Sequence, residues 1–195
     1  MKVKGRVHYV SAKGSAEMVA EAIAREMKVV KEPLLPAYMP EGVALMFLGC
    51  EGTKPDKFFL MTGNNDFVND PEVSALKVWE RFESLIKDIR EQYPTTWLYV
   101  QSILPMNPKS PYYAGFNEKA AEVNKLLDAG KERYSYVYLD IASLVSDGNG
   151  DLKDECTCDG IHLSATGYFI WSAELAKGLR MMQNLDPTEM LFEKN

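Results

Sequence analysis

The sequence predicts one α/β domain of three layers, α/β/α, around a doubly wound, mainly parallel sheet. Three observations carry that expectation. Short runs rich in β-branched and aromatic residues (RVHYV at 6–10, KFFLMTG at 57–63, TWLYVQSI at 96–103, YSYVYLDI at 134–141) have the length of buried strands. Between them lie longer segments with apolar residues at i, i+3, i+4 spacing, as in amphipathic helices. Strict alternation of the two implies right-handed crossovers and a sheet covered on both faces.

In chain order, RVHYV is the first strand and AEMVAEAIAREM a helix with Met18, Val19, Ala22, Ile23 and Met27 on one face. KVVKEPLLPAYMPEG holds Pro33, Pro36 and Pro40, so only Val29–Val30 can be strand. VALMFL at 43–48 reads as either strand or short helix. CEGTKPD is too short for a crossover between it and the strand at 57–63, since such a connection needs about a dozen residues. A helix from about 71 to 92 lines up Ala75, Trp79, Phe82, Ile86 and Ile89. Further helices are expected at 117–130 and 164–180, and NLDPTEMLFEKN at the C-terminus is a tail that could dock through Met190, Leu191 and Phe192. The whole chain, 1–195, is expected to be one domain.

Composition narrows the functional classes. The 195 residues are 46% hydrophobic and 26% charged, enough for a real core. A net charge of -6 without clustered Lys and Arg argues against nucleic acid as a partner. The longest apolar run is far short of the ~20 residues that span a bilayer, so no membrane partner is expected. MKVKGRVHYV lacks the features of a signal peptide, so a cytoplasmic location is expected. Cys50, Cys156 and Cys158 form no disulfide framework, and with His8 and His162 the only histidines no zinc site is expected. His8 reads as a buried structural histidine. Oligomeric state is not legible.

Ligands of such sheets bind outside the C-terminal strand ends. Three loops fall there: Ser11–Ser15, Gly63–Asp66 and the loop reaching His162. In CDGIHLSATGYFIW, Asp159 lies three residues before His162, a spacing that can bring the carboxylate under the imidazole and leave Nε2 free as a base. An Asn in TGNND at 62–66 can present its amide N–H to a developing oxyanion, or serve only as a turn residue. DGNGD at 147–151 starts like an EF-hand loop but has Leu152 where glycine is required, so it reads as a turn. Tyr134, Tyr136 and Tyr138 alternate in a strand and should pack on helices. Tyr112 and Tyr113 could line an acyl or sugar pocket or simply lie on the surface. Trp79 and Trp171 read as core, and Ser164 as a helix N-cap.

KPDKFFLMTGNNDF resembles the third block of the SGNH (GDSL-type) hydrolases, Gly-x-Asn-Asp, at Gly63, Asn64, Asn65 and Asp66. DGIHLSATGYFIW resembles the last block, Asp-x-x-His before a Leu-Ser-x-x-Gly-Tyr helix start, at Asp159 and His162. The resemblance covers about residues 54–180, and the order of elements between the blocks agrees. It implies a flavodoxin-like three-layer fold, with Asn65 an oxyanion donor, His162 the base and Asp159 its orienter. Where that family has Gly-Asp-Ser at the end of the first strand, this chain has Tyr9-Val10-Ser11. Gly49 and Gly52 are candidates for its oxyanion glycine.

Residues 1–57 resemble instead a flavodoxin-like protein, with KGRVHYVSAKGSAEMVAEAIAREM similar to its first strand, phosphate loop and first helix. Ser11 and Gly14 match that loop, while Lys13, Ser15 and Ala16 replace Thr, Asn and Thr. Taken together, the two resemblances describe a chain that joins two related α/β pieces near KPDK at 54–57, a natural or engineered chimera, with 58–180 the hydrolase-like part and 181–195 a tail. Three functions follow. The first is a serine ester hydrolase for small acyl or acetyl esters, with Ser11 the nucleophile, Asp159 and His162 its partners, Asn65 and Gly49 at the oxyanion, and no metal or organic cofactor. The second is a catalytically incomplete hybrid. The third is a module binding FMN or phosphate at Ser11, Gly14 and Ser15.

Overall fold

The computed structural model of the chain describes residues 6–9, 30–33 and 57–182, with side chains from 57 to 178. The helix expected at 16–27, the run 43–48, Cys50 and the tail after 182 lie outside the described residues, as does the burial of His8. Strand β1 (Arg6–Tyr9) pairs in parallel with β2 (Val30–Pro33), Arg6 opposite Val30 and Tyr9 opposite Pro33. The second strand therefore runs three residues past the expected Val30. Its proline comes last, where a missing N–H costs the ladder least.

Strands β3 (Lys57–Leu60), β4 (Trp97–Gln101) and β5 (Val137–Leu139) form a parallel sheet in the order β3-β4-β5. Lys57 faces Trp97 across the first pair, and Gln101 faces Leu139 across the second. In β4, alternate residues point to opposite faces, and both faces are buried. Leu98 and Val100 join Phe82, Ile86, Ile89, Val123 and Leu127 in one apolar cluster. Tyr99 points the other way and joins Leu139, Ile141, Leu163 and Leu175. Helices thus cover both sides, which gives the α/β/α layering. Tyr99 stacks on Phe59 at 4.6 Å between ring centroids, and burial pushes its hydroxyl pKa up to about 12.

Helix α1 (Asn64–Asn69) is short and follows β3 directly, and α2 (Ala75–Gln92) follows it. The single helix expected from about 71 begins instead at Ala75, because Ser74 caps it: its hydroxyl accepts the Lys77 amide at 3.2 Å. Ala75, Val78, Phe82, Ile86 and Ile89 are its buried stripe, with Trp79 partly buried at the edge. Helix α3 (Phe116–Gly130) packs beside α2. The run 134–141 gives only three strand residues. Ser135 sits at φ 54°, outside the extended region, and Asp140 accepts the Ser143 amide and starts α4 (Ile141–Val145). After a 3-10 turn at Asp154–Cys156, α5 (Ala165–Met182) closes the second face. Ser164 accepts the Gly167 amide at 3.3 Å, the expected N-cap.

Tyr134, Tyr136 and Tyr138 all pack toward the helices of the first cluster. Tyr136 donates its hydroxyl to the Leu127 carbonyl, and Tyr134 to Glu83. Arg90 in α2 staples the strand entries: its guanidinium donates to the carbonyls of Tyr134 at 3.1 Å, Thr96 at 2.6 Å and Ser135. Truncation removes three charge-assisted bonds that join α2 to both strand approaches. Arg90→Ala is expected to cost about 2 kcal/mol or more in urea unfolding, and Arg90→Lys to recover only part of that.

Candidate active site

The loop from Thr157 to Ser164 is a miniature hairpin. Thr157 and Leu163 form an antiparallel bridge, and the Cys158 amide donates to the His162 carbonyl at 3.2 Å. The Thr157 hydroxyl donates to that carbonyl as well, at 2.8 Å, and accepts the Gly160 amide at 2.8 Å. Within the turn, Asp159 Oδ1 accepts the amides of Ile161 at 2.9 Å and His162 at 2.8 Å. Its other oxygen, Oδ2, lies 2.6 Å from His162 Nδ1. The imidazole is 67% exposed, so the pair stands at the surface with Nδ1 engaged. Such an arrangement can hold the proton on Nδ1 and present Nε2 as a base. The His162 imidazole first, then the two amides, hold the Asp159 carboxyl well below the usual carboxylate range.

Gly63 precedes α1 in the left-handed region at φ 103°, which favours glycine there. A Cβ on it would come within 2.5 Å of Ile103 Cδ1 and 3.1 Å of Phe82. This turn sends the chain from the C-terminal end of β3 into α1, so Asn65 lies in the first turn of a helix rather than in a loop, and its side chain is exposed. Asp66 pairs with Arg81 of α2, and Phe67 anchors α1 against Phe116 at 5.6 Å.

Both pieces rest on the chain that leaves β4. Residues 101–107, QSILPMN, are all buried although the strand ends at Gln101. Ile103 abuts Gly63, and the Asn107 amide donates to the Gly160 carbonyl at 2.9 Å. Gly160 itself has φ 93°, and a Cβ there would lie 2.6 Å from the Ser110 nitrogen. The side chain of Asn107 donates to the Leu152 carbonyl at 2.7 Å and to Asp154 at 2.9 Å. The segment thus forms a shelf, with the Asn65 turn against its start and the Asp159–His162 turn against its end. No spacing rule singles out these shelf residues; the one sequence signal is an asparagine that closes the apolar, proline-containing run Ile103–Met106.

Among the predicted site residues, Asn65, Asp159 and His162 are placed, and Asp159 and His162 are in contact. Ser11, Gly14, Ser15 and Gly49 lie outside the described residues. DGNGD is a turn: Asp147 Oδ1 accepts the amides of Asn149 and Asp151, and Gly150 has φ 86°. Among the described residues no group of three or more His, Cys, Asp or Glu could hold a metal ion, and no helix is long and apolar enough to cross a membrane. A depression of ≈ 640 Å³ is lined by Asn107, Lys109, Asp147, Asp151, Asp154 and Glu155, among others. Its polar side chains largely bond one another or neighbouring backbone, as in Lys109–Asp154 at 2.8 Å. Tyr113 is partly buried with its hydroxyl on Asp151 at 2.8 Å, whereas Tyr112 is exposed. Cys156 is a buried free thiol and Cys158 an exposed one.

The model of the GDSL-like Lipase/Acylhydrolase family matches residues 42–170. That match extends N-terminally from the hydrolase-like blocks to take in Gly49. No curated protein matches the chain significantly. A solved structure from Streptococcus pneumonia, assigned as a platelet activating factor, is 32% identical over 64% of this chain and 59% of its own, with a TM-score of 0.57. The aligned part therefore spans under two thirds of that protein. A GDSL-like lipase from Bacteroides thetaiotaomicron is 14% identical, covering 90% and 88%, with a TM-score of 0.64. A carbohydrate acetylesterase family member from Sinorhizobium meliloti is 18% identical, covering 94% and 100%, with a TM-score of 0.62. At these identities the last two show a shared fold.

Two outcomes are expected from the turn geometry. Gly160→Ala combines a left-handed backbone with a clash against Ser110, and should cost about 1–3 kcal/mol in urea unfolding. Asp159 has a depressed folded-state pKa, so its contribution to stability is fully present above the ordinary Asp value of about 3.9 and is lost as pH falls through the folded value. Urea unfolding from neutral pH into acid should therefore show wild type more stable than Asp159→Asn at pH 7, with the two curves converging as the pH drops.

Proposed function

The chain belongs to the GDSL-like lipase/acylhydrolase family, and from that premise we propose that it is a serine ester hydrolase acting on small acyl or acetyl esters. The observation that carries the proposal is the Asp159 Oδ2–His162 Nδ1 contact of 2.6 Å beneath an exposed imidazole. In this reading His162 Nε2 takes the proton of the Ser11 hydroxyl as its oxygen bonds the ester carbonyl carbon. Asp159 keeps the imidazole in the required tautomer and stabilises its cation. The tetrahedral oxyanion is met by the Asn65 side-chain amide, the Ser11 backbone amide and Gly49. His162 then returns the proton to the departing alkoxide. Water, deprotonated by the same nitrogen, releases the acid and restores Ser11.

No metal or organic cofactor has a part in this sequence of steps. The preference for a short acyl group is supported by the fold shared with a carbohydrate acetylesterase family member.

Hydrolysis of p-nitrophenyl acetate tests the proposal. Wild type should turn over. Ser11→Ala and His162→Ala should fall to background, and Asp159→Asn should lose roughly 10²–10⁴-fold in kcat. Asn65→Ala should lose about 10²–10³-fold, the usual cost of one oxyanion donor. A wild type equal to the buffer blank would instead support the catalytically incomplete hybrid.

A further inference from the structure

The buried shelf after β4 poses an accounting problem. A backbone buried away from water must pair its N–H and C=O groups, and from Ile103 on this one has left the sheet. Ser102 still donates to the Leu139 carbonyl at 3.0 Å, as a strand residue would. For the next residues, two side chains of α3 take over the strand partner's role. Asn124 accepts the Ile103 amide at 2.7 Å and donates to the Ile103 carbonyl at 2.8 Å. Asn117 accepts the Met106 amide at 2.7 Å and donates to the Met106 carbonyl at 2.9 Å. Seven residues apart, the two asparagines stand two helical turns from each other on one face. Each primary amide copies the donor–acceptor pair of a peptide group.

The two clamped residues are those that seat the two halves of the site. Ile103 abuts Gly63, the turn that starts the helix carrying Asn65. Met106 precedes Asn107, whose amide holds the Gly160 carbonyl between Asp159 and His162. The Met106 carbonyl also accepts the Leu152 amide at 3.2 Å, and Asn117 Nδ2 donates to Asp151 at 2.9 Å. The second clamp therefore fixes the approach to the histidine loop as well.

We infer that Asn124 and Asn117 are positioning residues that separately set the oxyanion side and the base side of the site. This inference rests on the ester-hydrolase reading. Neither amide touches substrate; each acts through the backbone it holds. A displacement of an ångström at either side is enough to cost catalysis while leaving substrate binding nearly intact.

The test joins kinetics to hydrogen–deuterium exchange on the full chain. Asn124→Ala and Asn117→Ala should each lower kcat for p-nitrophenyl acetate about 10–100-fold, with KM within about 2-fold of wild type. Exchange should rise in peptides covering 62–69 for Asn124→Ala and in peptides covering 157–163 for Asn117→Ala, each leaving the other loop near wild type. If an alanine variant fails to fold, the serine variant at that position, whose hydroxyl and a bridging water can replace part of the clamp, should show the same pattern at smaller size. Exchange rising equally in both loops, or in neither, would overturn the inference, as would folded variants with wild-type kcat. Wild type at the blank would overturn the hydrolase reading and with it the catalytic role. The exchange arm would still decide whether the two amides hold the two sides separately.

Discussion

Burial of β4 on both faces is the constraint from which the rest follows. Leu98 and Val100 face α2 and α3 while Tyr99 and Gln101 face α5, so the strand cannot leave the sheet without passing through the core. The chain stays buried through Asn107, and every backbone group on that path needs a partner. Trp171 of α5 donates its indole N–H to Gln101 at the strand's last residue, which ties the helix following His162 to the same point. Rigidity at the centre of the sheet is thereby carried outward to the turns that hold Asn65 and the Asp159–His162 pair.

The Asp159–His162 turn is, by contrast, almost self-sufficient. Its carboxylate satisfies two amides and the imidazole within four residues, so the pair forms wherever the turn forms. What the turn lacks is a position relative to anything else. Gly160 supplies it, because its positive φ and missing Cβ allow the backbone to lie directly on Ser110 and Asn107. Gly63 does the same for the Asn65 turn against Ile103. Two glycines thus seat two local turns on a common shelf.

Much of this was legible in the order of residues. The amphipathic stripe of α2, the apolar core of β3 and β4 and the cap at Ser164 are period and capping signals, and these act locally. The Asp-x-x-His spacing belongs to the same class, since contact between residues three apart depends on a single turn. The short helix at Asn64–Asn69, the helix at Ile141–Val145 and the truncation of β5 to Val137–Leu139 were not read. Each is decided by one local device: Gly63 at positive φ, the Asp140 side chain as a cap, Ser135 at positive φ. One residue of punctuation outweighs the propensity of its neighbours in segments this short.

By itself, then, the sequence determined the layer architecture, the family resemblance and the pairing of Asp159 with His162. The first rests on periodicity, the second on the Gly-x-Asn-Asp and Asp-x-x-His blocks, and the third on contacts within a turn. Only the tertiary structure decided how the Asn65 and His162 turns come to share a support. That support is made by Asn107, Asn117 and Asn124 bonding to backbone as far as 45 residues away, as in Asn107 with Leu152. An asparagine looks the same in sequence whether it faces water or replaces a strand. The difference appears only when a buried peptide group has no other partner.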